Sequence, residues 1–274
     1  MKTNDDIYFD KIKREIRFKL KINIEQYKDA YIKRRVAVRM RACKCKNYRE
    51  YYEYLIKNNP DEYKKLEDTL TVNVTEFWRD NTVYKEIYKI LENLIMDKRT
   101  IRGLKIWSAG CSSGEEPYGL AIMINELKEK HNRKFMPVSI IGTDLDSKIL
   151  DRAKKGVYIH KQLKNIDKEL ISKYFIKLNE QEYELKKDIK KYVKFKKHDL
   201  IKEPPLKGMN IILCRNVIIY FDKKIQAELF LKFYEGLVNN GYLILGKTEI
   251  LHGKARTLFT PINHRERIYM AKKN

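Results

Sequence analysis

The stretch Leu104-Lys-Ile-Trp-Ser-Ala-Gly-Cys-Ser-Ser-Gly-Glu-Glu-Pro-Tyr118 decides the fold. Its first six residues form a short apolar run with strand character, stopped by Gly110. Small residues follow, and residues 115–130 then carry a helical pattern. Small side chains between a strand and a helix let a ligand approach the backbone closely. Downstream the alternation repeats. Residues 137–142, 209–213, 241–246 and 267–271 read as strands, and residues 147–153 and 224–237 as helices. Strands alternating with helices predict a doubly wound α/β sheet. Residues 156–197 interrupt that rhythm, with a helical stretch near 168–175 and strand character over 183–195. They read as an insertion.

Upstream the pattern differs. The first hundred residues contain no glycine and one proline, Pro60. Apolar residues recur there at helical spacing, as in Ile32, Val36, Met40 and Cys43, and again in Ile87, Leu91 and Leu94. Asn58-Asn59-Pro60-Asp61 reads as a helix stop and restart. About four helices are predicted up to Thr71, with a further one over 83–96. The expected division is a helical domain over 1–80 and an α/β domain over 81–274.

Composition narrows the function classes. The net charge is +22, from 59 basic and 37 acidic side chains, which suits an anionic partner or reflects a lysine-rich chain. The four cysteines, Cys43, Cys45, Cys111 and Cys214, lack zinc-site spacing, so no metal is expected and reduced thiols are. Lys2, Asp5, Asp6, Asp10 and Lys11 are not signal-peptide residues. The longest apolar run, residues 211–221, contains Arg215 and Asn216 and is too short to span a bilayer. A cytoplasmic protein without membrane insertion is expected.

Two strand ends carry the chemistry. The first brings Gly110 and the acid Glu116; the second, Gly142-Thr-Asp-Leu-Asp146, brings Asp144, placed to accept hydrogen bonds from ribose hydroxyls. A dinucleotide fingerprint sets its acid roughly 20 residues past the glycines. Here Gly110 and Asp144 are 34 apart, and there is no G-x-G-x-x-G. S-adenosylmethionine has no pyrophosphate, and its sulfonium is cationic, so acids near the loop suit it. A tight turn with a capped helix remains the plain alternative.

Four segments together resemble the chemotaxis receptor glutamate methyltransferases, the CheR family. They are Thr71-Val-Asn-Val-Thr-Glu-Phe-Trp-Arg-Asp80, Trp107-Ser-Ala-Gly-Cys-Ser-Ser-Gly-Glu-Glu-Pro-Tyr118, Gly142-Thr-Asp-Leu-Asp146 and Leu213-Cys-Arg-Asn-Val-Ile-Ile-Tyr-Phe-Asp222, in order along nearly the whole chain. The resemblance implies a helical N-terminal domain that docks on the receptor. It also implies a Rossmann-like S-adenosylmethionine domain with a small antiparallel β-subdomain. Asn73, Thr75 and Arg79 would close over the methyl donor, Glu116 and Asp144 would hold its amino and ribose groups, and Asp199 with Leu200 would flank the adenine. Relatives often have Asn where Asp199 stands. Arg215, Asn216 and Tyr220 would sit beside the reacting methyl, with Arg79, Arg215 and Tyr220 as catalytic candidates. S-adenosylhomocysteine would be the product. An ionised glutamate is already a nucleophile at neutral pH, so alignment rather than a general base is required. An arginine suits holding one carboxylate oxygen. A strand-end core aromatic is the plain reading of Tyr220.

Residues 31–46 contain Lys33, Arg34, Arg35, Arg39, Arg41, Lys44 and Lys46 and no acid. At about 100° per residue, Lys28, Arg35, Arg39 and Lys46 fall on one line beside the apolar stripe of Ile32, Val36, Met40 and Cys43. A solvated face explains this; so does docking on an acidic receptor helix around Arg35 and Arg39, which the resemblance favours. The short, glycine-free stretch between Phe175 and Tyr192 argues against a receptor-peptide tether. A monomer acting without nucleic acid is expected. The rival readings are a nucleic-acid methyltransferase, against which Cys214-Arg-Asn-Val stands, and an inactive cofactor-binding adaptor.

Overall fold

The glycine-free start folds into helices because each carries one apolar face, and two of them begin on a side-chain cap. The computed structural model describes residues 3–70, 75–97 and 103–273. Helix α1 (Asn4–Lys19) opens on a capping box: the Thr3 hydroxyl accepts the Asp6 N–H, and the Asp6 carboxylate accepts the Thr3 N–H. Helices α2 (Asp29–Ala42), α3 (Tyr48–Lys57) and α4 (Asp61–Leu70) follow. Asn47 caps α3 by accepting the Glu50 N–H at 2.9 Å. Phe9, Ile12, Ile16, Ile32, Val36, Leu55 and Leu66 close a core among these helices. At about 1.5–3 kcal/mol for each large apolar side chain buried, that core accounts for most of their helicity.

The chain divides into two compact units, and this helical one also includes Tyr220–Ile225. Tyr27 bridges Phe221 in antiparallel fashion, and the Tyr220 ring lies 4.5 Å from that of Tyr31.

Within α2 the expected basic docking line is corrected. Arg39 points inward and grips the buried Glu62 with two hydrogen bonds, of 2.9 and 2.8 Å. Arg35 is half-buried, with its guanidinium 5.4 Å from the Tyr31 ring. The cause is angular: the line through Arg35 and Arg39 borders the apolar stripe and turns with it toward α4. Lys46 lies beyond the helix end at Ala42. The exposed cations of α2 are Lys33, Arg34 and Arg41.

The second unit opens with α5 (Asn81–Met96) and alternates thereafter: β1 (Leu104–Ala109), α6 (Glu115–Lys130), β2 (Val138–Asp144) and α7 (Ser147–Lys155). A small antiparallel sheet follows, in the order β3 (Val157–Ile159), β5 (Glu182–Leu185), β4 (Phe175–Lys177), with α8 (Lys168–Tyr174) between β3 and β4. After the short α9 (Lys187–Lys190), β6 (Val193–Lys197) pairs in parallel with β2. The interruption expected over 156–197 therefore ends before β6, which is one edge strand of the main sheet. Then come β7 (Met209–Cys214), α10 (Lys223–Gly236), β8 (Leu237–Leu245), α11 (Ala255–Leu258), β9 (Phe259–Asn263) and β10 (Ile268–Ala271).

The main sheet runs β6-β2-β1-β7-β8-β10-β9, parallel from β6 to β8, with β10 antiparallel to both its neighbours. Ile106, Ile140, Ile211 and Ile244 are buried between such strands and α5 and α6, as the near-continuous apolar runs require. The strand order reverses between β1 and β7. Ligands of open parallel sheets bind in the crevice outside the strand ends at that reversal.

Candidate active site

At the end of β1 the backbone turns at Gly110, whose φ is +79° and whose N–H donates to the Thr143 carbonyl at 2.8 Å. A Cβ at Gly110 would lie 2.4 Å from Val217, so a side chain there would push the loops after β1 and β7 apart. Ser112 also adopts a left-handed φ of +48°, and its N–H donates to Asp144 Oδ2 at 2.9 Å. Asp144 Oδ1 accepts the Asp146 N–H at 3.1 Å. Burial holds the Asp144 carboxyl above its ordinary range.

Glu116, in the first turn of α6, accepts the Ser108 hydroxyl at 2.8 Å. Its other oxygen stands 3.5 Å from Arg215. Burial pushes its pKa up, against the opposing pull of Arg215. Arg215 leaves the end of β7 with its side chain only 3% exposed. It donates to Asp80 Oδ2 at 2.9 Å and to the Arg79 carbonyl at 3.0 Å, and its guanidinium lies 5.3 Å from the Tyr84 ring. A charge so deep needs such partners.

The segment that carries Arg79 and Asp80 is anchored by the residues before them. Phe77 is fully buried, edge-on to Tyr158 and Phe175. Trp78 Nε1 donates to the Gly119 carbonyl at 3.3 Å, and a Cβ at Gly119 would stand 2.9 Å from that nitrogen. The small subdomain holds the same segment: Asn165 donates to the Phe77 carbonyl, and the Gln162 carbonyl accepts the Phe77 N–H. Gln162 also donates to the buried Glu115, which the Ser113 hydroxyl contacts as well. One short turn of the subdomain thus ties the glycine loop to the Arg79 segment.

Of the residues expected at the site, Arg79, Gly110, Glu116, Asp144 and Arg215 surround the ends of β1, β2 and β7. Thr75 begins the Arg79 segment and is half-buried; Asn73 lies outside the described residues. Asp199 and Leu200 follow β6, whose Lys197 is in register with Asp144. Asp199 Oδ1 accepts the N–H groups of Ile201 and Lys202, which commits that oxygen to a turn. Asn216 follows Arg215 with a φ of +60°. Tyr220 groups with the helical unit. Asp80, Ser108, Ser112 and Glu249 were not anticipated. Asp80, Ser108 and Ser112 lie inside the quoted motifs, whereas nothing in the spacing singles out Glu249.

The donor set suits a nucleoside that carries a cationic centre. Asp80, Glu116 and Asp144 outnumber Arg79 and Arg215. The Ser112 hydroxyl and Arg215 Nε are buried without a hydrogen-bond partner among the described residues, and a polar ligand would satisfy them. Among the described residues no group of three or more His, Cys, Asp or Glu side chains is arranged to hold a metal ion.

Comparison with known proteins agrees. The family model of the CheR methyltransferase SAM binding domain matches residues 73–268, and that of the CheR methyltransferase all-alpha domain matches residues 7–71. A chemotaxis protein methyltransferase of Borreliella burgdorferi is 36% identical over 242 residues, 85% of this chain and 84% of the relative. The Listeria innocua chemotaxis protein methyltransferase is 32% identical, covering 89% of both chains. Chemotaxis protein methyltransferase 2 of Vibrio cholerae is 31% identical, over 83% of this chain and 80% of its own. With matches that span both the helices and the sheet, the chain belongs to the CheR methyltransferase family and is an S-adenosylmethionine-dependent methyltransferase.

Proposed function

We propose that this methyltransferase esterifies glutamate side chains on the cytoplasmic domain of methyl-accepting chemotaxis receptors, acting in the cytoplasm as a monomer. Bound S-adenosylmethionine would supply an electrophilic methyl group on a positively charged sulfur. Glu116 would hold its ammonium, Asp144 its ribose, and Asp199 and Leu200 would border its base. Asn73, Thr75 and Asn216 complete the proposed cofactor set, with Gly110 as the close backbone approach. The observation that carries the reading is the commitment of Arg215. Its charge is already shared between Asp80 and Glu116, so it shapes the cofactor wall. Orientation of the substrate carboxylate then falls to Arg79, with the Tyr220 hydroxyl as an additional donor. A carboxylate acceptor needs no deprotonation near neutral pH. That suits a site built from arginines and carboxylates.

Docking would use the exposed cations of α2, Lys33, Arg34 and Arg41, together with Arg35, against an acidic receptor surface. No receptor-peptide tether is expected. Among the described residues no helix is long and apolar enough to cross a membrane.

The decisive experiment transfers labelled methyl from S-adenosylmethionine to a receptor cytoplasmic fragment and then applies alkali. Release as volatile methanol is the expected result, because carboxyl methyl esters hydrolyse in base. Base-stable label would overturn the ester reading in favour of N- or C-methylation.

A further inference from the structure

A buried carboxylate that no step above uses lies at the ends of β7 and β8. Glu249 is 4% exposed. Its Oε1 accepts the backbone N–H groups of Val217 at 3.0 Å, Ile218 at 2.9 Å and Ile219 at 3.3 Å. Its Oε2 accepts those of Asn216 at 3.1 Å and Gly246 at 2.6 Å. Four consecutive amides of the loop after Arg215 thus converge on one side chain from the neighbouring loop. Successive N–H groups beside a left-handed residue form an anion-binding concavity, here filled from within the protein. Asn216, at φ +60°, is that left-handed residue. Asn tolerates that conformation better than most side-chain-bearing residues, and the Glu249 contacts fix the loop around it. Gly246 completes the clamp: a Cβ there would lie 2.8 Å from both the Asn216 nitrogen and Glu249 Oε2.

We propose that Glu249 is a positioning residue for methyl transfer, gathering the amides of residues 216–219 so that Arg215 and Asn216 are held in the geometry that receives S-adenosylmethionine. The inference rests on the cofactor-side roles given to Arg215 and Asn216. Glu249 itself touches neither donor nor acceptor. Its effect passes through the loop backbone.

Two substitutions test it. Glu249→Gln keeps the shape but turns an NH2 group onto amide donors, whichever way the amide faces. Gly246→Ala leaves Glu249 in place and wedges the carboxylate away from Asn216. Hydrogen exchange of the ligand-free protein should accelerate at residues 216–219 in both variants, with the central strands unchanged. Affinity for S-adenosylhomocysteine should fall by about tenfold or more, the scale of a lost hydrogen bond to a charged group. The kcat should fall with it, while KM for the receptor fragment changes less than about twofold, since docking binding is untouched. If both variants exchange and bind S-adenosylhomocysteine as the parent does, the proposal is wrong. Uniformly faster exchange would reduce Glu249 to a general stabiliser and overturn it equally. Should the unmodified enzyme transfer nothing to the receptor fragment, the receptor reading fails instead, and the exchange and binding measurements still decide the role of Glu249.

Discussion

Arg215 shows how one side chain can be both structural and functional. Its guanidinium lies between Asp80 and Glu116 and against the Tyr84 ring. Truncation to Ala would leave two carboxylates facing each other without their cation, and breaking a buried pair costs about 3–5 kcal/mol. Arg215→Ala should therefore unfold at markedly lower urea concentration, and Arg215→Lys should keep part of the difference. Glu116 yields a pH prediction. Its pKa is raised by burial, so in the ligand-free protein it stabilises the fold most when protonated. That contribution fades as pH rises through the raised value. A cationic ligand binds the ionised form, so affinity for S-adenosylmethionine should fall on acidification, beginning above the usual carboxylate range. Titration calorimetry between about pH 8 and 5 measures this, and Glu116→Gln should bind weakly with a flatter profile. Glu116 and Asp144 were legible because acids at strand ends beside a glycine loop imply a nucleoside. Glu249 was not, since its partners are backbone amides and amides leave no mark on side-chain spacing.

The same contrast holds among elements. Strands β1 and β7 are buried over most of their length, β2 is buried or half-buried throughout, and all three stand out as apolar runs. Strand β6 alternates Val193 and Phe195 with Lys194, Lys196 and Lys197, a charged pattern proper to an edge, and so merged with the preceding insertion. The tie between the small subdomain and the glycine loop was also hidden, because it consists of amide contacts from Gln162 and Asn165 across 47 and 88 residues of sequence. Its worth can be measured. Gln162→Ala leaves Glu115 buried with a lost donor, at about 1–3 kcal/mol. Equilibrium denaturation should show that loss. Because the Gln162 side chain holds Glu115 beside the glycine loop, affinity for S-adenosylhomocysteine should fall in the same variant, although the main-chain carbonyl that accepts the Phe77 N–H is kept. Unchanged affinity alongside reduced stability would limit the tie to folding.

At the scale of the whole molecule the charge of +22 acts through exposed cations and not through every arginine in the basic helix. Arg39 is spent on Glu62, whose side chain is 2% exposed. Reversing Arg39 would place two acids in one buried site, and the fold would suffer before docking was measured. Lys33, Arg34 and Arg41 are the exposed cations of that helix and can be reversed without such a cost. If they face an acidic receptor surface, their reversal should raise KM for a receptor fragment severalfold and leave kcat and the melting temperature nearly unchanged. Salt should act in the same direction on the unmodified protein. Charges on opposing surfaces are screened beyond about 10 Å at 0.1 M ionic strength, so KM should climb as salt is raised from low values. Arg215, with Glu116 and Asp80 against it inside the domain, is screened far less, and kcat should hold. A kcat that fell with salt while KM stayed level would place the salt-sensitive charges at the transfer site and remove the case for electrostatic docking through α2.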